Sequence, residues 1–169
     1  MRALFVAALL FVPGLVCADE VKLLKAGDPI PAFKLNDQHD KPYPVPADTR
    51  LIVFTADKSA GDMINGLLKQ RPADFMTQRK MVYIADISAM PGFITNMVAL
   101  PKMRDYAYRI AIGAESEQTA MLPRAVDNVT VIKTDTGKVV SIQQFKETEV
   151  SQLDATLNEA PATPATSKP

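Results

Sequence analysis

The chain is poor in the residues that most often carry chemistry. Among 169 residues there is one cysteine, one histidine and no tryptophan. The cysteine, Cys17, sits in an N-terminal stretch that opens Met1-Arg2-Ala3, runs apolar from Leu4 to Leu15 and ends Val16-Cys17-Ala18. A basic start, a short apolar run and small residues before a cut site form the pattern of a secretory signal peptide. The run falls short of the roughly 20 residues that span a bilayer, and Pro13-Gly14 interrupts it. Cleavage is expected after Ala18, which makes Asp19 the first mature residue, delivers the protein to the periplasm and removes its only thiol. A lipoprotein that retains Cys17 is the alternative, but it wants a small residue before the cysteine, and Val16 is branched. A mature chain without cysteine has no disulfide staple and no thiolate, so thiol–disulfide and thiol-peroxidase chemistry are excluded.

Other absences narrow the field further. The 19 basic and 19 acidic residues cancel, whereas a nucleic-acid partner favours a basic face. No second apolar run reaches membrane-spanning length, so no stable membrane insertion is expected once the signal is cut. With one histidine there is no histidine cluster, and the residues imply no metal and no cofactor.

What remains is a chain with clear strand and helix signals. Residues 19–25 form a short lead and 26–158 one domain. The tail from 159 to 169 is rich in Ala, Pro and Thr and lacks apolar periodicity, so it is expected to be disordered. Phe33 and Leu35 alternate as in a half-buried strand, and Lys41 to Val45 could return as an edge strand limited by Pro42 and Pro44. The β-branched runs Leu51–Phe54, Met81–Ile87 and Val129–Ile132 read as buried strands, with Tyr108–Ile112 as another. Ser59 is the expected N-cap of a helix that carries Met63, Leu67 and Leu68 on one face. Ala73 to Arg79 could add a helical turn or two. Pro91 to Leu100 is expected to be helical and to stop near Pro101, and Gly113 to Asp127 to be irregular. A turn at Asp135-Thr136-Gly137-Lys138 leads into a strand from Val139 to Phe145. Val150, Leu153 and Leu157 mark a last helix within Glu147–Asn158. The expected fold class is α/β, with a mostly parallel sheet, an antiparallel C-terminal hairpin and helices on both faces.

Three segments in this order resemble the redoxin branch of the thioredoxin-like superfamily, which contains peroxiredoxins and periplasmic thiol reductases. They are Gly27-Asp28-Pro29-Ile30-Pro31-Ala32-Phe33-Lys34-Leu35-Asn36-Asp37, Leu51 to Thr55, and Val129 to Val140. The resemblance implies a thioredoxin-like domain over about residues 26 to 158. It also implies that the redox centre, where a strand turns into a helix, falls on Ser59 and Asp62 in place of the Cys-x-x-Cys pair. The peroxiredoxin Pro, Thr and Cys fall on Ala56, Ala60 and Met63. The family's cis-proline falls on Asn128, after Asp127. Each catalytic element is replaced, so the resemblance carries the fold and not the oxidoreductase activity.

The candidate sites follow from these positions. A thioredoxin face without cysteines can still hold an extended segment against a strand edge. Thr55, Ala56, Asp57, Lys58, Ser59 and Asp62, with Asp127 and Asn128, would form that face, and the partner would be another periplasmic protein or an extended peptide. The runner-up is an enzyme with a non-cysteine centre using Ser59, Asp62 or His39, or one acting on partner thiols. Ser59 would need an adjacent base. Asp57 with Asp62, and His39 with Asp37 and Asp40, are the weak acidic or metal clusters, and solvated polar turns account for both. Most methionines sit among Leu, Val and Phe and read as core, and Met90, Met97 and Met103 are the one group to test as thioether ligands. Arg104, Tyr106, Tyr108 and Arg109 read as a rim patch.

Overall fold

The computed structural model describes residues 21–159. The signal peptide, its cleavage site and residues 160–169 of the tail lie outside the described residues.

β-branched and apolar runs form the centre of the molecule. Strand β2 (Leu51–Thr55) and strand β3 (Met81–Asp86) are buried at every position. They are flanked by β1 (Asn36–Asp37), β4 (Ala111–Gly113), β5 (Val129–Asp135) and β6 (Lys138–Phe145). The six strands form one sheet in the order β1-β4-β3-β2-β5-β6. β2 pairs β3 and β3 pairs β4 in parallel, whereas β1 with β4, β2 with β5 and β5 with β6 are antiparallel. The sheet is therefore mixed, which corrects the expectation of a mostly parallel one. The cause is that β5 runs back beside β2 without a crossover helix, and the short opening strand β1 returns against β4.

Side-chain alternation divides the core between the two faces. Leu51, Val53, Tyr83 and Ala85 point to one face, where they meet Ile64 and Leu68 of α1 (Lys58–Leu68), Phe75 of α2 (Phe75–Gln78) and Leu153 and Leu157 at the C-terminal end. Ile52, Phe54, Val82 and Ile84 point to the other, where Leu24, Phe33, Leu35 and Leu122 cover them. That second cover is extended chain and loop. α1 and α2 thus cover the first face, while the proline-rich opening segment lies across most of the second.

Several local expectations shift. The strand expected over Tyr108–Ile112 begins only at Ala111, as β4, since Tyr108 and Arg109 are tied to the turn after β1 through Gln38 and Asp37. Lys41 to Val45 forms no strand; its ladder contact is a single bridge between Asn36 and Pro42. The helix after Pro91 does not stop near Pro101. It runs as α3 (Gly92–Ile94), a π-helical turn (Thr95–Ala99) and α4 (Leu100–Arg104), with Pro101 inside the last piece. Proline has no N–H to donate and its ring crowds the carbonyl four residues back. Widening the preceding turn, where the Leu100 N–H bonds Thr95 O, lets the helix pass the ring. The segment from Gly113 to Asp127 contains a short helix, α5 (Ser116–Thr119). After β6 come a 3-10 turn (Glu147–Glu149) and α6 (Val150–Asn158). Among the described residues no helix is long and apolar enough to cross a membrane.

Candidate functional site

The site is built where β2 and β3 end and α1 begins. Asp57 is extended, and its Oδ1 accepts from the Ala60 N–H at 2.9 Å, so Asp57 rather than Ser59 is the N-cap. Its Oδ2 accepts from the Asp127 N–H at 2.9 Å. One carboxylate thus welds the helix start to the loop before β5. Asp127 has a left-handed φ of 58°, and there is no cis peptide bond among the described residues, so the Asp127–Asn128 link is trans. Thr55, Ala56, Asp57 and Lys58 therefore stand beside Asp127 and Asn128, but the backbone donors at Ala60 and Asp127 are already committed to Asp57.

Beside this weld lies a cavity of about 380 Å³ between α1 and the Gly92–Arg104 helical segment. Its floor is Thr55, Tyr83 and Asn65, its apolar walls include Ala56, Ala85, Ile87 and Met90, and its outer wall is Ile94, Val98, Ala99 and Met103. Crevices at the carboxyl ends of strands are the usual ligand sites of α/β sheets, and this volume is at the small end of the ligand-pocket range of about 300–1,000 Å³. No residue of the Gly92–Arg104 segment is fully buried. Phe93, Met97 and Val98 are exposed at 69%, 76% and 59%, so an apolar strip continues outward from the cavity mouth.

The floor is polar but neutral. Thr55 Oγ1 and Tyr83 Oη are 3.2 Å apart, and Tyr108 Oη donates to Asn65 Oδ1 at 2.9 Å. Burial pushes the Tyr83 and Tyr108 phenols well above their ordinary value, so both stay protonated. The charges at the cavity are paired. Asp62 meets Lys58 at 2.5 Å and Lys102 at 3.8 Å, joining α1 to α4. The hydrogen bond from Lys58, followed by the charges of Lys58 and Lys102, outweighs partial burial and holds the Asp62 carboxyl below its usual range. Asp86, at the end of β3, accepts from the Ser88 N–H at 2.9 Å, from Thr119 Oγ1 at 2.5 Å and from Arg124 Nη1 at 2.8 Å.

The residues singled out from the sequence do not all meet. Asp62 lines the cavity, while Ser59 faces a more open groove on the other side of α1 with Met63, Leu67 and Val150. Ser59 makes no side-chain hydrogen bond among the described residues, and His39 is no base for it. His39 is exposed in the turn after β1, three strands from β2 in the sheet order, roughly 14 Å at the usual strand spacing. Asn128 is half-buried and lines neither space. Asp37 next to His39 is buried and paired with Arg109, and among the described residues no three His, Cys, Asp or Glu side chains converge as a metal site. Met76 and Met81 are core, but Met90 and Met103 line the cavity while Met97 is exposed on the strip. Of the rim patch, Tyr106 and Tyr108 stack at 5.2 Å and Arg109 lies over Tyr43. The residues missed from the sequence are Asn65, Tyr83, Asp86, Ile94 and Val98. The legible signal for two of them was a hydroxyl and a carboxylate in an otherwise apolar strand, since such groups require partners when buried.

Comparison with known proteins places the fold. No protein-family model and no curated protein matches the chain by sequence. Its structure is similar to a peroxidoxin from Mycobacterium tuberculosis, with 16% identity, 79% of this chain and 96% of that one covered, and a TM-score of 0.53. It is similar to a thioredoxin-like protein from Porphyromonas gingivalis, with 18% identity, coverage of 78% and 91%, and a TM-score of 0.51. A peroxiredoxin-like protein from Aquifex aeolicus is similar at 13% identity, coverage of 80% and 88%, and a TM-score of 0.50. The chain has the thioredoxin-like fold, and its only cysteine is at position 17.

Proposed function

We propose that this thioredoxin-like chain is an exported, non-redox binding module that holds an extended segment of another periplasmic protein. The observation that carries the reading is the apolar cavity at the carboxyl ends of β2 and β3, with Phe93, Met97 and Val98 exposed beyond its mouth. Exposed apolar surface that continues into a preformed pocket is the usual mark of an interaction site. Among the described residues the same end of the sheet offers no thiol, and the nearby carboxylates are engaged: Asp57 as a cap, Asp62 with two lysines and Asp86 with Arg124. The strand-edge mode suggested by the fold is blocked at Asp127, whose N–H is taken by Asp57. The segment is instead held by its side chains, along the strip and into the cavity.

The test is a binding titration. Peptides selected for binding to the purified mature domain should be rich in apolar residues. Val98→Glu at the strip should weaken them at least tenfold. Val140→Glu, at an equally exposed position on β6, should leave them unchanged. Equal affinities for both variants would remove the strip from the site.

A further inference from the structure

Among the described residues the chain holds no thiol, so its methionine thioethers are the sulfur groups open to a two-electron oxidant, in the order of their exposure. They are unequally placed. Met76 and Met81 are sealed in the core at 6% and 4% exposed. Met63, Met90, Met103 and Met121 are half-buried. Met63, Met103 and Met121 pack against the two core clusters, and Met90 and Met103 line the cavity wall. Met97 stands apart at 76% exposed.

The position of Met97 gives its sulfur a consequence. It lies within the π-helical turn Thr95–Ala99, next to Val98 and about one helical turn beyond Phe93. These three side chains are the exposed apolar strip that runs outward from the cavity mouth. Oxidation converts a flexible apolar side chain into a polar one with a strong acceptor oxygen. On the free strip that oxygen is solvated by water. Under an apolar partner it loses the water, and neither Phe93 nor Val98 carries a donor in its side chain to replace it. The oxidised form is therefore penalised in the bound state alone.

Resting on the reading of the strip as part of the partner site, we propose that Met97 is an oxidation switch, and that conversion of its thioether to the sulfoxide by a peroxide releases the partner. The sulfur lone pair attacks one peroxide oxygen, an S–O bond forms and the O–O bond breaks. Sulfur is oxidised by two electrons, and the second oxygen is reduced and leaves as water with both peroxide protons.

The test uses hydrogen peroxide and a methionine-free peptide selected for binding to the mature domain. Limited peroxide treatment followed by peptide mapping should show Met97 oxidised first, ahead of the half-buried methionines, and Met76 and Met81 last. Protein oxidised at Met97 should bind the peptide about tenfold more weakly, the cost of one polar oxygen left without a partner in an apolar contact, with its thermal midpoint unchanged. Met97→Leu keeps the volume and the apolar contact, so it should bind within twofold of wild type before and after the same treatment. Met97→Gln should bind weakly without any oxidant. Reduction by methionine sulfoxide reductases of both epimer specificities, with dithiothreitol as the electron donor, should restore the oxidised wild type. The switch is overturned if another methionine is oxidised before Met97, if oxidised wild type binds as well as untreated protein, or if Met97→Leu loses binding on treatment. Val98→Glu separates the two readings. If it weakens the peptide and the sulfoxide does not, the switch alone fails; if it leaves the peptide unaffected, the strip is not the site and both readings fail.

Discussion

Asp86 is the strongest single test of how the cleft is held in shape. It closes β3, is 7% exposed, and ties together the Ser88 backbone, Thr119 of α5 and Arg124 in the loop before β5. Arg124 also donates to Thr119 O at 2.8 Å and lies over the Phe54 ring. Asp86→Ala would leave three donors facing a vacated space. Breaking a buried ion pair costs about 3–5 kcal/mol, but the Arg124 side chain is 38% exposed and water can recover part of its solvation. About 3 kcal/mol is expected for Asp86→Ala, and about 2 kcal/mol for Asp86→Asn, which keeps one acceptor. Burial pushes the Asp86 carboxyl up, but the hydrogen bonds from Ser88, Thr119 and Arg124 outweigh it and hold the group below its ordinary value of 3.8. A carboxyl with a lowered folded pKa contributes its full stability above the unfolded pKa and loses it as pH falls through the folded one. The asparagine variant does not titrate there. The stability gap between wild type and Asp86→Asn should therefore be constant from pH 7 to about 5 and narrow on acidification below about pH 4. Urea unfolding of both proteins at pH 7, 5 and 3 measures it. A gap under 1 kcal/mol at pH 7, or one that does not shrink in acid, would refute the reasoning.

Further expectations follow from single contacts. A Cβ at Gly113 would stand 2.7 Å from Thr119 Cγ2, so Gly113→Ala should destabilise by about 1–3 kcal/mol through overpacking, read as a lowered thermal midpoint. Asp57→Ala removes both the α1 cap and the tie to Asp127 and should cost about 1–2 kcal/mol in urea unfolding, while Asp57→Asn, which keeps a capping oxygen, should cost less. Intact-mass measurement of the exported protein should give an N-terminus at Asp19, and a lipid-modified Cys17 would contradict the soluble, thiol-free reading. The purified mature protein should neither reduce a disulfide substrate nor consume peroxide.

The central strands were legible because β-branched runs such as Leu51–Phe54 and Val129–Ile132 have few alternatives to a buried ladder. What escaped the sequence depended on contacts between distant residues. Asp57 and Ser59 are comparable caps by type, and the choice falls to Asp57 because its second oxygen also serves Asp127, seventy residues away. Phe93, Met97 and Val98 lie in a segment that the sequence marks only as helical, and they face outward. Periodicity records that a helix has an apolar face without saying what covers it. Pro101 reads as a helix stop until the π-helical turn before it is seen. The Tyr108–Asn65 and Thr55–Tyr83 pairs bring two strand residues, a helix residue and a loop residue to the cavity floor, and none is marked as functional by its neighbours in sequence.

Under the proposed function, the partner docks on the apolar cleft beside α1 and not at a redox centre. The most direct measurement is chemical-shift mapping of the mature domain on titration with a peptide selected for binding. Shifts are expected at Ala56, Ala85, Met90, Val98 and Met103, with Ser59 and Leu67 on the opposite side of α1 unmoved. Shifts confined to the Ser59–Leu67 groove or to the β6 edge, with Met90 and Met103 unchanged, would contradict it.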